Sequence, residues 1–207
     1  MLGWGDRSAG LVKVCMALAV TALLGACATE VTRVSPDEVK DLSGNWNDTD
    51  SQMVSKEMIK EALSEPWLDN YTRRHNGKPP VVIVGTIRNL SFEHINTNAF
   101  VTDMQRALIN SGKVEFVAAS DQRGEVRKER KDQDINARED TRKAMGQEVG
   151  ADFMMKGTIN MIVDQSGDTR VHYYQVDLNL ISLADNRIVW VGQKKIKKVV
   201  ENAKLRY

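Results

Sequence analysis

Cys27 is the residue whose chemistry the sequence predicts most clearly. It follows Leu24-Gly25-Ala26, at the end of an apolar run of 14 residues that begins at Leu11. In a bacterial lipoprotein signal, a cysteine in this position receives lipid and becomes the first residue of the mature chain, and the small residues before it let the peptidase reach the bond. The sequence therefore predicts that Cys27 is lipidated and carries palmitate.

The segment before Cys27 has the composition of a signal peptide, which we place at residues 1–26. Arg7 and Lys13 give it a basic start, and its apolar run is too short to cross a bilayer core of about 30 Å. An ordinary secretory signal with a cysteine at its cleavage site is the alternative. Ala28 follows the cysteine, where an aspartate would indicate retention in the inner membrane. We therefore expect a lipid anchor in the outer membrane and a body in the periplasm.

The remaining residue types offer no catalytic or metal-binding pattern. The three histidines, His75, His94 and His172, have no partner at the spacing of metal ligands or of a nucleophile and its base. The sequence has no Gly-x-Ser-x-Gly, no phosphate-binding glycine loop and no His-Glu-x-x-His. A calcium loop starting at Asp48 fails, because its glycine and bidentate carboxylate positions hold other residues. We expect no enzyme activity, no cofactor and no metal.

Two groups of residues could instead bind a partner. Trp46, followed by Asn47 and Asp48, either seals a helix against a sheet or forms an exposed anchor for a partner. A second group of four lysines follows Trp190: Lys194, Lys195, Lys197 and Lys198. Lysines on a terminal strand discourage edge-to-edge pairing, and a basic binding patch is the other interpretation. We take Trp46, Asn47 and Asp48 as the candidate partner-binding residues.

The charge and cysteine content exclude several classes of protein. The 207-residue chain has a formal charge of +1, and removal of residues 1–26 leaves 27 basic and 27 acidic residues. This balance favours neither a nucleic acid nor an anionic membrane surface as a partner. Cys15 leaves with the signal and Cys27 would be acylated, so the mature chain has no pair of thiols for a disulfide. The domain must be held together by its hydrophobic core.

The N-terminal half of the mature chain reads as a tether followed by helices and a buried strand. Residues 27–41 form a short polar tether, and some 18 residues beyond Cys27 span at most about 60 Å when extended and about 25 Å as a coil. A helix follows, with a capping box at Thr49 and Gln52 and an apolar stripe that includes Met53. The uninterrupted apolar run Val81–Val84 predicts that the strand Val81–Ile87 is a central one, and the next helix begins at Asn96 or Thr97.

The C-terminal half changes to a period of two. Residues 120–149 are highly charged and predict a helix interrupted near 132–136. After it, alternating apolar residues predict a strand from Phe153 to Val163, a second from Tyr174 to Leu180 and a third from Ile188. We expect a single α/β sandwich over residues 42–207. It has a mixed sheet of four to five strands flanked by helices and ends in an antiparallel β-meander. Its predicted core holds Phe100, Leu108, Phe153, Leu178 and Trp190.

Several segments of the chain resemble the LpoB-type outer-membrane lipoproteins that activate penicillin-binding proteins. Each segment alone is weakly specific, but their order behind a lipoprotein signal is fairly specific. The segments are Ser43–Asp48 with Met53–Lys56, Ala107–Val117, Val149–Phe153, and Gln175–Leu180 leading to Arg187–Gly192. The resemblance covers residues 42–198.

This resemblance implies a monomeric, non-enzymatic regulator that docks on a bifunctional class A penicillin-binding protein and stimulates peptidoglycan synthesis. The chain departs from the best-known members in its tether, which is short and nearly free of proline. The same domain type also resembles curli-secretion-like lipoproteins and a domain of TolB-like periplasmic proteins. A channel would need long amphipathic hairpins with lipid-facing residues, whereas the alternating residues of this chain are predicted to fill its core.

Overall fold

The computed structural model describes residues 31–36 and 38–201. The predicted signal peptide and Cys27 lie outside the described residues. The chain divides into two units at Glu38, and the second unit, which begins at Val39, contains every helix and strand of the described part. In the first unit, Val31–Pro36 form no helix or strand and are exposed to solvent.

The second unit begins with two helices, α1 (Asp48–Ala62) and α2 (Pro66–Arg74). The predicted capping box at Thr49 is wrong, because Asn47 caps α1: its side chain accepts from the Asp50 amide at 3.0 Å, and Asp50 accepts from the Asn47 amide at 3.0 Å. Met53, expected on the apolar stripe, is 37% exposed. The buried face of α1 holds Asp50, Val54 and Met58.

The predicted fold class is confirmed. Strands β1 (Val81–Asn89), β2 (Glu115–Phe116), β3 (Phe153–Ser166), β4 (Thr169–Ser182) and β5 (Ile188–Glu201) form one mixed sheet in the order β2-β1-β3-β4-β5. Strand β1 is parallel to β2 and β3, whereas β3, β4 and β5 form the antiparallel meander. Helix α3 (Thr97–Asn110) provides the crossover that parallel pairing of β1 and β2 requires.

The core lies between one face of this sheet and the helices. Helix α1 packs on α3 and β5, while α3 also packs on β1 and β2. The five residues predicted for the core are all buried in one cluster: Phe100, Leu108, Phe153, Leu178 and Trp190. Strand β1 is buried over Val81–Val84, as expected for a central strand. The N-cap predicted at Asn96 is also confirmed, since its side chain accepts from two helix amides.

Two expectations need correction. The charged segment predicted to be helical over residues 120–149 forms only α4 (Ser120–Asn136), which has no buried residue. Without an apolar face to pack, the charged sequence after Asn136 loops back, and Arg127 and Arg130 of α4 pair with Glu148. In β3, Phe153 and Ile159 of the predicted inner row are buried, but Val163 is 41% exposed, because β3 and β4 extend beyond the helices.

Candidate functional site

The candidate residues Trp46, Asn47 and Asp48 end a segment that runs across the inner face of β4 and β5. We call residues 41–47 the clasp. It covers the sheet near His172, Tyr174 and Lys198, which α1 and α3 leave open, and its path is fixed by side chains from distant parts of the chain.

Gly44 is the closest point of contact between the clasp and the sheet. Its carbonyl oxygen accepts from Tyr174 Oη at 3.1 Å and lies 2.9 Å from His172 Nδ1. A Cβ atom at this position would lie 2.2 Å from Val200 Cγ2, so only glycine lets the backbone approach the strand this closely. Both ring side chains are buried, and the clasp supplies their polar partner.

Trp46 of the clasp is half-buried, and its side chain fills the space between β4, α1 and α3. Its indole Nε1 donates to Ser51 Oγ at 2.7 Å, and its backbone N–H donates to Glu93 Oε2 at 2.8 Å. Its ring meets Phe100 and Tyr174 edge-on, with centroids 6.5 and 5.5 Å away. This is the geometry of a plug that seals the core.

Asn47 and Asp48 differ in exposure. Asn47 is half-buried, caps α1 and donates through Nδ2 to Asp41 Oδ1 at 2.5 Å. Asp48 is exposed in the first turn of α1, where its carboxylate interacts favourably with the positive end of the helix dipole. The predicted partner contact of Trp46, Asn47 and Asp48 therefore stays a prediction, with Asp48 as its most accessible member.

Lys198 holds the two ends of the clasp together. Its Nζ atom lies 2.6 Å from Asp50 Oδ2 and 2.9 Å from Asp41 Oδ1, and it donates to the Asn45 carbonyl at 3.1 Å. Burial alone would lower the pKa of Lys198, but the bonds to Asp50 and Asp41 outweigh it and raise the pKa. The hydrogen bond from Lys198 lowers the pKa of Asp41. The side chains of Lys198 and Asp50 are only 12% and 4% exposed, so this pair is largely removed from water.

Glu93, from the loop after β1, joins the clasp to β4. Its Oε1 atom accepts from Tyr174 Oη at 2.7 Å while Oε2 accepts from the Trp46 amide. Burial, followed by the hydrogen bond to Glu93, strongly raises the pKa of Tyr174, so this hydroxyl keeps its proton. The Glu93 carboxylate therefore binds both the clasp and β4 through hydrogen bonds, and these bonds fix the position of the clasp. Sequence analysis missed Glu93. The only signal near it was the neighbouring His94, for which no catalytic or metal-binding partner was found.

The four lysines after Trp190 do not form one patch. Lys194 pairs with Glu57 of α1 and Lys198 binds the clasp, both on the inner face of the sheet. Lys195 and Lys197 lie on the opposite face and form no ion pair with any described residue. The period of two in β5 therefore divides the cluster into a structural pair and an accessible pair.

A groove of about 1000 Å³ lies between α2 and the turn that joins β4 to β5. Trp67, Tyr71 and Trp190 line it, and Tyr71 Oη donates to Asp152 Oδ2 at 2.6 Å. Burial and this bond raise the pKa of Tyr71 to about 12. Because Asp152 also accepts from the Val81 amide at 2.8 Å, its carboxylate holds the loop in place rather than facing a ligand. Within residues 31–36 and 38–201, no group of acidic, histidine or cysteine side chains could hold a metal ion.

None of the helices in the described part of the chain has the length and apolar composition needed to cross a membrane. A search of curated protein sequences finds no match. Among solved structures, the chain is similar to the LpoB C-terminal domain from Escherichia coli at 15% identity and a TM-score of 0.43, covering 72% of this chain and 99% of that one. The LpoB C-terminal domain from Salmonella enterica matches at the same identity and coverage with a TM-score of 0.41.

Lipoprotein GNA1162 from Neisseria meningitidis is also similar, at 15% identity and a TM-score of 0.38, covering 61% of this chain and 88% of that one. The model of the family described as peptidoglycan-synthase activator LpoB matches residues 50–196. This match runs from the first turn of α1 into β5, so it spans the core and most of the meander. The chain therefore belongs to the LpoB family of peptidoglycan-synthase activators, whose members regulate the synthase and are not themselves enzymes.

Proposed function

We propose that this protein binds and activates a bifunctional class A penicillin-binding protein. It acts as a monomer from a lipid anchor at Cys27 in the outer membrane, with residues 42–207 folded in the periplasm. The family match over residues 50–196 carries the proposal, because it covers nearly the whole folded unit. It also favours this function over the curli-secretion-like and TolB-like alternatives.

An activator of this kind needs a rigid binding surface rather than reactive groups. It stimulates a synthase if it binds the active state more tightly than the inactive state, and the ratio of the two affinities sets the size of the effect. The side chains of Asp41, Trp46 and Asn47 are engaged in fixing the path of the clasp, which suits a domain that presents a preformed surface.

The test is a lipid II polymerisation assay with purified synthase. The mature chain carrying Cys27→Ser, which keeps it free of lipid, is added to each class A penicillin-binding protein of the same organism. We expect an increase in glycan polymerisation that saturates with added chain. An unchanged rate with every such synthase, at concentrations that saturate binding, would refute the proposal.

The lipid anchor has its own test. We expect Cys27→Ser in the full-length chain to remove the protein from the membrane fraction or leave an unprocessed precursor, because the acyl chains supply the membrane affinity. Membrane fractionation and metabolic labelling with palmitate measure the two effects, with Cys15→Ser as the matched control within the signal peptide. Normal processing and labelling of the Cys27→Ser chain would contradict the assignment.

We further propose that the exposed Asp48 contributes to the docking surface next to Trp46 and Asn47. Asp48 makes no contact that the clasp depends on, so Asp48→Lys tests this surface without removing the cap at Asn47. The expected result is weaker binding to the synthase, with an unfolding midpoint lowered only slightly by loss of the favourable interaction between Asp48 and the helix dipole. Unchanged binding removes Asp48 from the surface.

A further inference from the structure

The β-meander has an open face on the side away from the helices. In β4, every second residue from His172 to Ser182 is buried against the core or the clasp, while the residues between them are only half-buried. The same alternation holds in β5, where Val191, Gln193 and the odd-numbered residues that follow are exposed. We call this surface of β3, β4 and β5 the outer face.

The strand register gathers apolar side chains at one place on the outer face. Ile162, Tyr173 and Lys197 lie side by side across the three strands, and Asp164, Val171 and Val199 occupy the next row. Ile162 is 63% exposed and Val199 is 59% exposed. Neighbouring strands are about 4.8 Å apart, so these side chains form one continuous patch rather than scattered single residues. A contiguous apolar patch beside charged residues is typical of a protein-binding surface.

The charges around this patch are unevenly placed. Lys195 and Lys197 lie on one edge of it, and neither forms an ion pair within the described part of the chain. The acidic residue nearest to Lys195 along the rows is Asp177, which accepts hydrogen bonds from Gln175 at 2.9 Å and from Gln193 at 2.8 Å. Two further carboxylates, Asp164 and Glu201, lie towards the β3–β4 hairpin end, away from Lys195. A partner that covers the patch therefore meets, at the β5 edge, two cations that form no ion pair with residues 31–36 or 38–201.

The lysines and the apolar centre suit a partner surface that carries carboxylates opposite the lysines and apolar side chains opposite Ile162 and Val199. A two-fold contact would allow Asp164 and Glu201 of a second copy to face the same lysines, so the oligomeric state is measured separately.

We propose that the outer face, centred on Ile162, Tyr173 and Val199 and edged by Lys195 and Lys197, is a second docking surface, separate from the one proposed at Asp48, for an acidic and partly apolar region of the synthase. This inference rests on the proposed function, since it names a further surface through which the chain would bind the same partner. It also gives Lys195 and Lys197 a role other than preventing edge-to-edge pairing of β5, because both lie on the outer face of the sheet.

The experiment measures the affinity of the mature Cys27→Ser chain for the full-length class A synthase. The test variant is Lys195→Glu with Lys197→Glu. It reverses the charge of two lysines that form no ion pair with any described residue. The matched control is Lys128→Glu with Lys131→Glu on α4, where two exposed lysines undergo the same change of charge. A third variant, Ile162→Ser, removes the apolar centre of the patch. Thermal unfolding midpoints verify that all three chains remain folded.

We expect the β5 double reversal to weaken binding by about tenfold or more at low salt and to flatten the salt dependence of affinity. Ile162→Ser should weaken binding with little change in salt dependence, and the α4 control should bind like the unaltered chain. Affinity of the β5 variant equal to that of the α4 control overturns the inference while the proposed function stands. If the unaltered chain binds no class A synthase, the proposed function and the inference fail together.

Two other occupants of the outer face would also overturn the inference. Sedimentation of the chain alone would reveal a dimer that Ile162→Ser disrupts if the face pairs with a second copy. Vesicles containing phosphatidylglycerol would retain the unaltered chain and release the β5 variant if the face binds an anionic lipid surface. We expect a monomer and no retention on the vesicles.

Discussion

Replacing Lys198 by methionine is expected to lower the free energy of unfolding by about 3 kcal/mol at neutral pH, because it leaves the buried Asp50 carboxylate without its cation. The Nζ atom of Lys198 lies 2.6 Å from Asp50 Oδ2, and the Asp50 side chain is only 4% exposed. The same change releases Asp41 and the Asn45 carbonyl, so the clasp loses its contact with β5. Urea denaturation of the mature Cys27→Ser chain measures the difference.

A matched control separates loss of the ion pair from loss of a lysine on β5. Lys195→Met makes the same chemical change three residues away on the outer face, where no described residue pairs with the lysine. We expect it to change stability by less than about 0.5 kcal/mol. Adding Asp50→Asn to Lys198→Met should recover part of the loss, since it removes the uncompensated charge. Equal stability of the Lys198→Met and Lys195→Met chains would show that the contacts of Lys198 with Asp50 and the clasp contribute nothing to stability.

The pH dependence of this loss follows from the two shifted pKa values. The pKa of Lys198 is raised above its ordinary value of 10.5, so its contribution is complete below that pH and is lost as the pH rises through the folded value. The pKa of Asp41 is lowered below its ordinary value of 3.8, so its contribution is complete above that pH and is lost as the pH falls through the folded value. The stability difference between the unaltered and Lys198→Met chains should therefore be largest between these two limits and shrink outside them.

The clasp shows why sequence analysis found the core but not the site. Phe100 and Leu108 are eight residues apart on one face of a helix, and Leu178 lies in a strand whose apolar and polar residues alternate. Local periodicity was therefore sufficient to place them. Lys198 and Asp50, in contrast, are brought together only by the pairing of β4 with β5 and the packing of α1 on that strand. No local pattern encodes a contact between residues so distant in the chain.

The errors in helix boundaries have a similar physical origin. Asn47 and Thr49 are both good caps, and the contacts of the clasp favour Asn47, whose side chain also binds Asp41. The residues after Asn136 have helix-forming side chains but no apolar face, so no packing supports continuation of α4. Tertiary contacts decided both cases.

The clasp also affects how far the domain would extend from the proposed anchor at Cys27. Asp41 is bound to Lys198 and Asn47, so only residues 28–40 lie between Cys27 and the clasp. These 13 residues span at most about 45 Å when extended and about 20 Å as a coil. Stretching them towards the limit costs conformational entropy, which weakens any contact with a partner in the inner membrane.

Deleting Val31–Val39 is therefore expected to abolish complementation in cells that lack the unaltered protein. The deletion leaves four residues between Cys27 and Asp41, which span at most about 14 Å. Because the clasp and the outer face are unchanged, the same deletion in the purified Cys27→Ser chain should stimulate the synthase as well as the full mature chain does. Growth of the complemented cells and the polymerisation assay measure the two effects.

An insertion provides the opposite control. A flexible Gly/Ser segment of some 20 residues after Pro36 raises the span of the coil to about 32 Å and should preserve or improve complementation. Equal membrane amounts of all variants must be verified, so that loss of growth reflects reach rather than loss of protein. If the Val31–Val39 deletion grows normally at equal membrane amounts, reach does not limit activity. The anchor and the synthase would then lie close together, which contradicts an outer-membrane anchor acting across the periplasm.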